Sequence, residues 1–208
     1  MILLALIVSL LGLSAWAGDA PKATLDQCLP VAEQVQTQQD ADLLETCSEF
    51  FWHHQQHDRP GGSYNLMLKL EYRLMELEPQ EVFRWSSTAW VLWSKWVVWR
   101  KDPQAVPAGF DGEGKDAESI ALLKKGRRFH ETNFLYHWHA GLVTYPLARF
   151  HHPDFFPFVI ESFQLADQYT QDTEIKIRAR LFIAYSYKHM GKTAEATDWF
   201  HRVIDLDP

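Results

Sequence analysis

Apolar residues recur at three- and four-residue intervals through most of the chain, and almost nowhere do they alternate singly with polar ones. The first rhythm keeps one face of a helix apolar, whereas the second would mark a half-buried strand. The pattern predicts helices over 24–37, 40–57, 63–77, 80–101, 116–130, 133–149, 153–169, 172–190 and 192–206, and no sheet. Pro30, Pro79 and Pro153 fall near predicted N-termini, where a missing N–H costs nothing. Arg59-Pro60-Gly61-Gly62 and His189-Met190-Gly191-Lys192 read as turns between antiparallel neighbours.

The most regular stretch is the end, IRARLFIAYSYKHMGKTAEATDWFHRVIDLDP. Ile183, Ala184 and Tyr187 lie on one helix, Gly191 makes the turn, Ala196, Phe200 and Val203 follow on the next, and Pro208 stops it. Small residues at Ala184 and Ala196 let two helix axes approach closely, while Tyr187 and Phe200 fill the space beside them. This order closely resembles a tetratricopeptide repeat (TPR). Weaker copies lie upstream: Ala140-Gly141 with Val159, Phe163 and Ala166; Trp85, Ala89 and Leu92 with Ser119, Leu123 and Gly126; and a third ending in Glu76-Leu77-Glu78-Pro79, which echoes Asp205-Leu206-Asp207-Pro208.

The resemblance implies an all-α fold, antiparallel helix pairs stacked as a TPR-like right-handed solenoid. It would hold about four pairs over 41–208, with 18–40 as an N-terminal segment carrying a capping helix. It also implies that the first helix of each pair, near 41–57, 80–101, 133–149 and 172–190, lines a concave face that binds a protein or peptide partner. The chain stops with no further helix to cover its last pair, and repeat arrays usually need a polar cap there.

The helix over 80–101 is extreme in its aromatic content, with WVLWSKWVVW at 90–99. At 100° per residue Trp85, Ala89, Leu92, Trp96 and Trp99 share one face, and Trp90, Trp93 and Val97 form a second beside it. Only Arg84, Ser87, Ser94 and Lys95 mark a polar sector. Those charges interrupt the run well short of the roughly 20 apolar residues that a membrane span needs. The helix is instead expected to be largely enclosed by protein. Trp85, Trp90, Trp93, Trp96 and Trp99 are then either core or the lining of the partner groove.

Composition narrows the function. The chain has 208 residues, 47% of them hydrophobic, enough for a sizeable core. A formal charge of −7 argues against nucleic acid, whose phosphates demand clustered cations. Lys124, Lys125, Arg127 and Arg128 spread around a helix and read as a solvated face. Residues 1–17, MILLALIVSLLGLSAWA, carry no charged side chain and end in Ala15-Trp16-Ala17, a signal-peptidase pattern. A cleaved export signal, giving a periplasmic or secreted protein, and an uncleaved anchor both fit. Membrane contact follows only if that segment is retained. Cys28 and Cys47 form a candidate disulfide in an oxidising compartment, or two small buried side chains that never pair.

Ten histidines raise the question of metal. His53 and His57 are four apart on a predicted helix, the spacing of two zinc or copper ligands, but no second ligand pair has an obvious position. His137 and His139 point to opposite sides of theirs. GxSxG, P-loop, GxGxxG, CxxC and CxxCH motifs are all missing, so no catalytic residue and no cofactor is expected. The loop 102–116, rich in Asp, Pro and Gly, is either decoration or a gate. The reading is an exported, non-catalytic interaction module; a metal-binding or enzymatic protein using the histidines, and a membrane-anchored scaffold, are its alternatives.

Overall fold

The computed structural model describes residues 23–53, 62–99 and 114–206. Among them all regular structure is helical: α1 (Leu25–Glu33), α2 (Ala41–His53), α3 (Gly62–Leu77), α4 (Val82–Trp99), α5 (Lys115–Arg127), α6 (Phe134–Phe150), α7 (Phe156–Tyr169), α8 (Thr173–His189) and α9 (Thr193–Ile204), with 3-10 turns at Val35–Thr37 and Pro153–Phe155. The fold is all-α and made of helices that pack in pairs. The apolar segment 1–17, the turn at 59–61 and most of the loop 102–116 lie outside the described residues. The chain divides into two compact units, Met1–Ser119 and Ile120–Pro208, with the boundary inside α5.

In the first unit α2 packs on α3, and α1 lies against both. The predicted helix 24–37 is shorter than its apolar rhythm suggested. It stops at Gln34, whose N–H donates to Pro30 O, and continues only as the 3-10 turn. Pro30 inside α1 removes one backbone donor, which weakens so short a helix. A disulfide between Cys28 and Cys47 joins α1 to α2, with the two Cα atoms 5.0 Å apart and both side chains fully buried. Leu44, Phe51, Leu70, Leu74, Trp85, Ala89 and Leu92 form the core of this unit. The Tyr64 hydroxyl adds a polar tie, donating to Val91 O at 3.1 Å and so joining α3 to α4.

In the second unit α6, α7, α8 and α9 pack in chain order, each against the next. Side-chain caps start two of them: Asn133 Oδ1 accepts from the N–H groups of Leu135 and Tyr136, and Asp172 Oδ1 from those of Glu174 and Ile175. Gly191 makes the turn between α8 and α9 at φ +74°, a left-handed conformation that suits glycine. There Lys192 N–H donates to Tyr187 O and Gly191 N–H to Lys188 O, the pair of bonds that closes a Schellman C-cap. Ala184 and Ala196, the small residues on either side of this turn, are both buried.

An aromatic cluster holds the three helices α6 to α8. Phe163 and Phe182 stack at 4.7 Å between ring centroids, and Trp138 meets both edge-on, at 5.4 and 6.0 Å. Gly141 lets α6 and α7 approach closely, since a Cβ there would lie 2.8–2.9 Å from the Phe163 ring. Arg180 ties α7, α8 and α9 together, bonding Asp167 Oδ1 at 3.0 Å and Arg202 O at 2.9 Å. Every residue of α6 from Tyr136 to Ala148 is buried.

Candidate partner-binding surface

Helix α4 begins after Pro79 and the Glu78–Glu81 turn, and a hydrogen bond helps to fix its first tryptophan. The Trp85 indole N–H donates to Pro79 O at 3.0 Å, and the ring is buried. Trp93 is buried too, on the same side as Ala89 and Val97. Of the two readings left open for these indoles, burial favours core: a ring enclosed by its own unit offers little to a partner. Trp90 differs, for it is half-buried and lies 6.5 Å from Trp52 of α2, also half-buried. The Lys95 ammonium stands 5.3 Å above the Trp52 ring. Two helices predicted to line a binding face thus present an accessible indole pair with a cation on it. The side chains of Trp96 and Trp99 lie outside the described residues.

Helix α6, expected to line the concave face, is interior. A helix buried from Tyr136 to Ala148 has no free side with which to line a groove. Two histidines of α6 and one just before it are interior as well. His130, His137 and His139 are all buried, and burial pushes His139 down to about 4. His137 is likewise lowered, mainly by burial, against the pull of its bond to the Glu131 carbonyl. That contact, 2.8 Å from Nε2 to Glu131 O, requires Nε2 to carry the proton, because a carbonyl only accepts. His130 and Tyr136 stack at 4.8 Å, as do His137 and Tyr169 at 5.9 Å.

The proposed metal pair is not brought into view: the side chain of His53, and His57 altogether, lie outside the described residues. Among the described residues no three His, Cys, Asp or Glu side chains converge as a metal would need. None of the described helices is long and apolar enough to cross a membrane.

One polar cluster was not anticipated. Glu71 of α3 is buried, accepts from Ser48 Oγ at 2.5 Å and Thr88 Oγ1 at 3.4 Å, and faces Arg84 Nη1 at 3.5 Å. Arg84 also reaches Glu45 and Glu78, each at 3.6 Å. Burial pushes the Glu71 carboxyl up, while Arg84 and the two hydroxyls pull it down. The cluster joins α2, α3 and α4. The sequence does carry a signal for it. Glu71 stands on the apolar stripe of α3, four residues after Met67 and four before Met75, where a lone acid demands a cation.

No protein-family model matches the chain, and no curated protein matches it. Among solved structures the chain is similar to MamA AMB-1, at 19% identity over 97% of this chain and 95% of that one, with a TM-score of 0.48.

Proposed function

We propose that this chain is a non-catalytic protein-interaction module, which holds a peptide or helix of a partner protein against the surface shared by α2 and α4. The observation that carries this reading is the half-buried Trp52–Trp90 pair. Indoles give a large contact area with few torsions to freeze, which is why they dominate binding hot spots. The scaffold beneath is rigid by construction: the Glu71–Arg84 cluster and the Cys28–Cys47 bond hold the helices on which the pair sits. The same disulfide supports export, because such bonds persist in oxidising compartments. Residues 1–17 then serve as the export signal.

Affinity capture from the native envelope tests the binding, with the wild type compared with Trp90→Ala. Specific partners are expected to be lost while helical circular dichroism and Tm stay within a few degrees. Equal capture by both proteins would sink the proposal. For export, N-terminal sequencing of mature protein is expected to begin at Gly18; a chain still starting at Met1 would point to the anchor.

A further inference from the structure

The indole pair carries a charge that no carboxylate among the described residues of its unit pairs with. The other half-buried cations among the described residues of the first unit have carboxylates: Arg84 is held by Glu45, Glu71 and Glu78, Arg73 by Glu76 at 2.9 Å, and Lys115 by Glu118 at 2.5 Å. Lys95 is half-buried and rests on the face of Trp52. A ring face attracts a cation but gives its N–H groups no lone pair, so the three ammonium donors want an acceptor. Burial holds the Lys95 pKa below its ordinary value. An anion arriving there would meet a partly desolvated ammonium, unpaired among the described residues, beside two indoles, where charge attraction is stronger than in open water.

We propose that Lys95, Trp52 and Trp90 form a subsite for an acidic side chain of the partner, an Asp or Glu carried next to an apolar residue that lies against the two indoles. The subsite rests on the protein-binding reading above and adds the chemistry it selects. One ammonium balances one negative charge, which matches a carboxylate and leaves a phosphate dianion half-compensated. The apolar neighbour follows from the tryptophans, whose accessible faces are covered only by a side chain with carbon to offer.

Selection of a phage-displayed random dodecapeptide library on the full-length protein tests this. Selected peptides are expected to place Asp or Glu at a fixed offset from Trp, Phe or Leu. Changing that acid to its amide is expected to weaken binding at least tenfold on the wild type and by less than twofold on Lys95→Gln, while Lys95→Arg retains most of the discrimination. Circular dichroism of each variant establishes that it is folded. Peptides without a shared acid, or an acid-to-amide loss of the same size on Lys95→Gln, would overturn the subsite while leaving the indole surface as a binding site. Peptides that bind Trp90→Ala undiminished, or a library that enriches none, would overturn both.

Discussion

At the scale of single residues, the most consequential side chains are polar or small ones placed where the core allows no adjustment. His139 is buried and neutral, with its pKa lowered to about 4, so the unfolded chain binds the proton more readily. For a group whose folded pKa is depressed, the stability it contributes is complete above the unfolded value near 6.5 and is lost as pH falls towards the folded value. Urea unfolding should show a loss of roughly 2–3 kcal/mol from this residue between pH 7 and pH 4. His139→Leu should flatten that part of the profile; an unchanged slope would mean that the proton goes elsewhere. Gly141 tests packing rather than charge. Gly141→Ala forces a methyl against the Phe163 ring, itself clamped by Phe182 and Trp138, and should cost about 1–3 kcal/mol in the same experiment. A neutral result would show that α6 and α7 slide apart freely.

Among the elements, α1 depends most on a single bond. It has nine residues, contains Pro30, and anchors itself by Cys28, Ala32 and the neighbouring Val35. The disulfide closes a loop of 19 residues' separation, a cross-link worth about 3 kcal/mol in the chain-entropy description. With Cys28→Ser and Cys47→Ser together, hydrogen exchange should show α1 losing protection while α2 and α3 keep theirs. Equal protection of α1 in both proteins would count against the tether.

The helices themselves were legible from apolar spacing, because most bury one stripe and wet the other. The α8–α9 turn was legible because Gly191 has a backbone job that few other residues do as well. Less readable was which side of α4 is core. Trp85, Trp90 and Trp93 are equally apolar, and only the packing of α2 and α3 decides that Trp90 keeps an accessible face. Trp52 escaped notice for a related reason: it is one indole on an ordinary helix until Trp90 and Lys95 are brought beside it.

For the whole molecule, two compact units hold themselves together by different means. The first relies on a covalent bond and a buried ion cluster, the second on interlocked rings and tight backbone approach. Breaking a buried pair by removing one member leaves an uncompensated charge, whereas trimming a ring leaves a void that neighbours partly fill. The first unit should therefore respond more sharply to single charge changes, and the second to changes of volume. The unbroken interior stretch of α6 has a further consequence. A helix with a wet side lets substitutions accumulate there and so writes a 3.6-residue period into its lineage. Between Tyr136 and Ala148 no position is free to drift, so evolution along this segment would be uniformly slow and would leave no period at all. Read from a set of diverged sequences, this wholly buried stretch would hardly look like a helix.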